Sequence, residues 1–196
     1  MPSLFRNVFL FTSIIILSAC SSDDRNDDSE TVNEIEFITT SIVTMTPTDT
    51  SLEPIVLYKY DQDGWNGNQH SGEDDVTGAF VANMTYNCSV QLLNENVSPP
   101  EDLTSEIINE GTDHIFIFSP TEASNIQIAY ASPFDINNKP IGTNFTLTTG
   151  NSGCVQLMLR LLHKPNKDDP GIENGTYSDL NNMVLDVSSS HLANCY

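Results

Sequence analysis

Thr85-Tyr86-Asn87-Cys88-Ser89-Val90-Gln91-Leu92 sets Tyr86, Cys88, Val90 and Leu92 on one side of an extended chain and Thr85, Asn87, Ser89 and Gln91 on the other. Side chains alternate between faces along a strand, so this stretch predicts a strand with one face buried and one face wet. Working outward, β-branched and aromatic runs recur at Glu36 to Met45, Ile55 to Tyr60, Gly78 to Met84, His114 to Phe118, Ile126 to Ala131, Phe145 to Thr149, Val155 to Leu162 and Met183 to Val187. Each predicts a strand. Between them lie turn-forming clusters: Asp61-Gln62-Asp63-Gly64-Trp65-Asn66-Gly67, Asn137-Asn138-Lys139-Pro140, Gly150-Asn151-Ser152-Gly153 and residues 165–177.

One segment departs from this pattern. Leu103, Ile107 and Ile108 fall at helical spacing within residues 98–111, so a short helix closed by Gly111 is expected there. Many short strands, frequent turns and one short helix predict an all-β domain, an antiparallel β-sandwich that is immunoglobulin-like in general architecture. No alternating strand–helix pattern and no phosphate-cradling glycine loop occurs.

The N-terminus is different in kind. Arg6 precedes an apolar run from Val8 to Leu17, which is followed by Leu17-Ser18-Ala19-Cys20. A basic start, an apolar stretch and small residues before a cut make a secretion signal. With Cys at the first mature position, the string resembles the lipobox of bacterial lipoproteins. That resemblance implies that Cys20 is acylated and links the chain to the lipid bilayer. The plain alternative is an uncleaved anchor, but the apolar run is short of the roughly 20 residues a span needs. The organisation expected is a signal peptide at 1–19, a lipidated Cys and acidic tether at 20–33, one domain at 34–190 and a tail at 191–196. Ser21 after the lipidated Cys resembles outer-membrane sorting. The following Asp23-Asp24-Arg25-Asn26-Asp27-Asp28 run resembles the surface-export signal of Bacteroidota lipoproteins. A solvated spacer explains the same run, so the periplasmic face and the cell surface both stay open.

Charge narrows the partners. The chain carries a formal charge of −20 with seven Lys and Arg, so it has no basic patch to offer nucleic acid. Three cysteines follow Cys20: Cys88, Cys154 and Cys195. An odd count leaves at least one thiol unpaired within an exported chain. Cys88 shares the apolar face of its strand, whereas Cys154 is in register with Gln156 and Arg160, opposite Val155, Leu157 and Leu159. Cys88 is therefore expected as a buried free thiol, and Cys195 is the better partner for Cys154.

Several strings also resemble one family when taken in order: Asp61-Gln62-Asp63-Gly64, Thr85-Tyr86-Asn87, Asp113-His114-Ile115-Phe116, Pro140-Ile141-Gly142-Thr143, Thr146-Leu147-Thr148-Thr149-Gly150 and Leu159-Arg160-Leu161-Leu162-His163-Lys164-Pro165-Asn166-Lys167. They resemble small Bacteroidota lipoproteins often encoded beside TonB-dependent outer-membrane receptors, whose members carry the label "type 1 periplasmic binding fold superfamily protein". The resemblance spans residues 34–187. It implies an outer-membrane accessory to a receptor that imports a scarce nutrient such as a metal or metal chelate. The label implies two α/β lobes, for which this chain is too short, and the strand pattern is preferred. Cys88 and Cys154 stand where the family more usually has small or hydroxyl residues.

Candidate ligand residues follow from residue chemistry. His114 and His163 each end an apolar strand, with Asp113 beside one of them. Two imidazoles and a carboxylate suit zinc or copper. They must lie within about 8 Å of each other to share an ion through bonds of about 2 Å. Two satisfied histidines are the plain alternative. Asp61 and Asp63 offer alternating carboxylates of the kind calcium uses, although Trp65 stands at position five of that loop and Gly72 at position twelve, where an EF-hand has Glu. A hairpin turn is the plain alternative there. Trp65, the one Trp in the chain, is a candidate partner contact. No Gly-x-Ser-x-Gly elbow or comparable nucleophile motif occurs, and no catalysis is expected.

Overall fold

A computed structural model of the chain describes residues 37–64, 73–121, 126–151, 154–172, 184–185 and 194–195. The strands are β1 (Thr40–Pro47), β2 (Ile55–Tyr60), β3 (Glu73–Thr77), β4 (Thr85–Asn94), β5 (Glu101–Asp102), β6 (His114–Thr121), β7 (Ile126–Tyr130), β8 (Asn144–Thr149), β9 (Cys154–His163), β10 (Val184–Leu185) and β11 (Asn194–Cys195). One helix, α1 (Thr104–Asn109), lies between β5 and β6. The fold is all-β, with antiparallel sheets packed as a sandwich and a single short helix among the described residues.

β4 is central to the larger sheet, whose order is β3-β2-β1-β4-β8-β7. The alternation expected of it is realised: Tyr86, Cys88, Val90 and Leu92 are buried while Asn87, Ser89 and Gln91 are exposed. β1 runs along one edge of β4, from Thr40↔Leu93 to Pro47↔Tyr86. The other edge is shared: β8 takes Thr85–Ser89, and β5 takes Leu93 and Asn94.

The second sheet is built on a β6/β9 ribbon paired along its length, from His114↔His163 to Thr121↔Gln156. One face of the ribbon carries Phe116, Phe118, Leu159 and Leu161 into a core shared with Val43, Met45, Tyr86, Val90, Leu92, Phe145 and Leu147. Phe118 and Phe145 meet with ring centroids 4.2 Å apart. The opposite face buries Ile115, Ile117 and Leu162 against Ile172. Burial on both faces is why Ile115-Phe116-Ile117-Phe118 is an unbroken apolar run, whereas β4 alternates. Each such side chain removed from water contributes about 1.5–3 kcal/mol before entropy is counted.

Residues 141–143 stitch the two sheets together. Phe116 N–H donates to the Ile141 carbonyl at 2.7 Å, and Val90 N–H donates to that of Thr143 at 2.8 Å. Gly142 between them has φ +85°, and a Cβ there would lie 2.9 Å from the Phe116 Cβ. Only glycine fits so close an approach with that backbone. Tyr130 Oη adds a donor to the Phe116 carbonyl at 2.8 Å.

Two expectations are corrected, and one strand lies where none was expected. Gly78–Met84 is not a strand: Gly78 and Asn83 have positive φ, Phe80 plugs the core, and Val81 N–H donates to Tyr86 Oη at 2.8 Å. Glu73–Thr77, acidic and poor in β-formers, is a strand because it pairs with β2. α1 closes at Gly111 as expected: this residue follows the C-cap Glu110, donates its N–H to the Ile108 carbonyl at 3.2 Å, and packs against Ile141. Asn194–Cys195, expected in the tail, pairs with the start of β9. Within residues 98–111, the helix proper starts at Thr104, whose N–H is accepted by Asp102 Oδ1 at 2.9 Å.

Candidate functional site

His114 and His163 come together. They are register partners at the end of the ribbon, on the face that carries Phe116 and Leu161. Their rings stack with centroids 5.0 Å apart and planes 14° from parallel. His114 is 1% exposed. Its Nδ1 lies 3.1 Å from the Glu110 carbonyl, where it serves as the donor. Burial pushes the His114 imidazole down to about 4, against a smaller opposing pull from the Glu110 carbonyl. The neighbouring His163 adds to the lowering. His114 is therefore neutral at physiological pH.

The distance between the imidazoles is inside the limit for sharing an ion, but their orientation is wrong for it. Nitrogen lone pairs lie in the ring planes, and two nearly parallel planes direct them side by side instead of at one point. Asp113 flanks the pair in sequence, and its carbonyl accepts Lys164 N–H at 2.6 Å. Among the described residues no group of three or more His, Cys, Asp or Glu side chains is placed to hold one ion.

Asp61 and Asp63 are in a different place, in the turn after β2. Asp61 is 1% exposed, and its Oδ1 accepts the Asp63 N–H at 3.1 Å, as in an Asx turn. Its Oδ2 is buried and has no hydrogen-bond partner among the described residues. Asp63 is exposed and adds no second buried oxygen. Gly64 continues the turn with φ +73°, its backbone packed under the Phe37 ring. Trp65 and Cys20 lie outside the described residues. Cys88 is buried and free, and burial pushes its thiol up to about 12.

Beside the histidine pair is a clasp that sequence reasoning missed. Lys167 Nζ donates to the Gly111 carbonyl, to the Pro140 carbonyl at 2.7 Å and to Asp135 Oδ2 at 3.1 Å. The two charged side chains are 7% and 1% exposed. Asp135 Oδ1 also accepts N–H groups from Asn137 at 2.9 Å and Lys139 at 2.8 Å. Burial raises the Asp135 carboxyl, but these bonds and the Lys167 ammonium outweigh it and hold the group below the usual range. Burial lowers Lys167 despite the Asp135 bond. One ammonium thus fixes the loop after α1, the 135–140 loop and the segment after β9. Together they wall an open groove of about 460 Å³ lined by Thr112, Asp135, Asn137, Lys139, Asn166 and Asp168. The Lys139–Asp168 ion pair on its rim, at 3.1 Å, is exposed and contributes little.

The repeated Asp and Asn of residues 135–138 mark a turn in the sequence, yet nothing local ties Lys167 to it. No family model matches this chain, and no curated protein or solved structure does.

Proposed function

We propose that the chain is a lipid-anchored outer-membrane interaction module, an accessory to a TonB-dependent receptor in nutrient or metal uptake. The single observation that carries this is the Leu17-Ser18-Ala19-Cys20 string ahead of an acidic tether. The sandwich supports it by supplying loops that are hydrogen-bonded to one another at one end. The clasp around Lys167 ties three segments together, and such a platform suits protein contact. Ion binding by His114, His163, Asp113, Asp61 and Asp63 is no part of the proposal, because the two imidazoles stack in parallel and, among the described residues, no ligands converge at either place.

The test is cross-linking of full-length tagged protein in native membranes, followed by isolation and mass spectrometry. Enrichment of a β-barrel receptor with the wild type, lost in Cys20→Ser, supports the reading. Receptor-free isolates from both proteins contradict it.

A further inference from the structure

β9 pairs with β6 over Gln156–His163 and also with two short C-terminal strands, β10 and β11. β10 sits opposite Leu162 and Leu161, and β11 sits opposite Val155 and Cys154. In this second pairing the direct partner of Cys154 is Cys195. Residues directly opposite in an antiparallel pair have Cα atoms about 4.5–5.5 Å apart. A disulfide needs Cα atoms roughly 4.4–6.8 Å apart. The remaining thiol, Cys88, is buried on β4 in the other sheet, opposite Met45 and Phe145.

We infer that Cys154 and Cys195 form a disulfide that fastens the C-terminal strand to the start of β9, leaving Cys88 as the reduced cysteine of the domain. The register of β11 is not a continuation of that of β10. From Leu185 to Asn194 the chain advances nine residues, while β9 advances six, from Leu161 back to Val155. A two-residue ladder that follows such an offset is weakly specified by its own hydrogen bonds. A covalent link at the Cys154↔Cys195 pair fixes that register directly.

The chemistry balances with a disulfide-bearing oxidant, such as a thiol oxidoreductase of the exported compartment. One cysteine thiolate attacks the oxidant's disulfide and forms a mixed disulfide. The second thiolate then attacks the sulfur of the first, and the oxidant leaves as a dithiol. Two protons and two electrons pass from the chain to the oxidant. The bond rests on the export half of the proposed function and is independent of any receptor.

The test is a non-reducing peptide map of the full chain, alkylated in intact cells before extraction and again after unfolding. The expected result joins the Cys154 and Cys195 peptides, with Cys88 alkylated only after unfolding. In Cys195→Ser, Cys154 becomes alkylatable and Cys88 stays protected. A parallel arm oxidises reduced, purified protein with oxidised glutathione. Formation of the bond there but not in cells supports the pairing and contradicts export. Cys88 joined to either partner, or three free thiols in both arms, overturns the inference.

Discussion

His114 and His163 face each other across β6 and β9 as register partners, their ring centroids 5.0 Å apart and their planes 14° from parallel. Stacked in this way they lie beneath the turn that follows α1, where His114 Nδ1–H donates a hydrogen bond to the Glu110 carbonyl.

This burial makes stability depend on pH. The His114 imidazole is lowered to about 4 in the folded chain, from an ordinary value near 6.5. Between those values the unfolded chain binds the proton and the folded chain does not. The contribution is therefore complete above about pH 6.5, is lost as pH falls towards 4, and amounts to about 3 kcal/mol. Urea unfolding of wild type and His114→Phe from pH 7.5 to 4 checks it. The wild type is the more stable at pH 7.5 by roughly 1–2 kcal/mol for the lost hydrogen bond. The difference shrinks or reverses at pH 4, and a gap independent of pH contradicts the assignment.

Parallel imidazoles predict no shared ion. Adding zinc, copper or calcium to the domain purified without chelators is expected to leave Tm unchanged, with no stoichiometric metal in elemental analysis. Metal present at one per chain and lost in the His114→Ala/His163→Ala double variant would show that the rings turn to converge.

The Lys167 clasp is expected to hold more stability than a surface pair. Lys167→Met leaves Asp135 charged and buried, together with two carbonyls that lose their donor, and costs roughly 3–5 kcal/mol. Asp135→Asn keeps an acceptor for the Asn137 and Lys139 N–H groups and costs less. Because the Asp135 carboxyl is held below its usual range, its contribution is present above the ordinary carboxylate pKa and fades as pH falls below it. Denaturant unfolding of the two single variants and the double variant measures the coupling. A cost under about 1 kcal/mol for Lys167→Met would place the pair with exposed ion pairs.

Gly142→Ala is expected to cost roughly 2–4 kcal/mol, combining a positive φ with a Cβ forced against Phe116. Thermal unfolding checks this. A Tm within a degree of wild type would mean that the 141–143 stitch gives way at little cost.

Periodicity made much of the sandwich legible. The alternation of Thr85–Leu92 and the unbroken apolar run Ile115–Phe118 each reported their surroundings, and the face of Cys88 followed from parity. What stayed hidden depended on contacts between distant residues. Glu73–Thr77 has little strand propensity and is a strand because β2 offers it an edge. Phe80, Val81 and Met84 suggest a strand, yet Gly78 and Asn83 bend the chain and leave Phe80 as a core plug. Both histidines could be placed at strand ends, but not across from each other, because the pairing of β6 with β9 has no local signature. Lys167 meets acceptors on two other loops, and no spacing in the sequence announces such a meeting.

The most direct test of the central claim is intact mass spectrometry, with N-terminal peptide sequencing, of full-length protein extracted from membranes of a lipoprotein-processing host. The account predicts that Cys20 is the first residue and carries a thioether-linked diacylglyceryl group, and that this species is absent from Cys20→Ser. A mature chain that begins at Met1 or at any residue other than Cys20, without lipid, would contradict it.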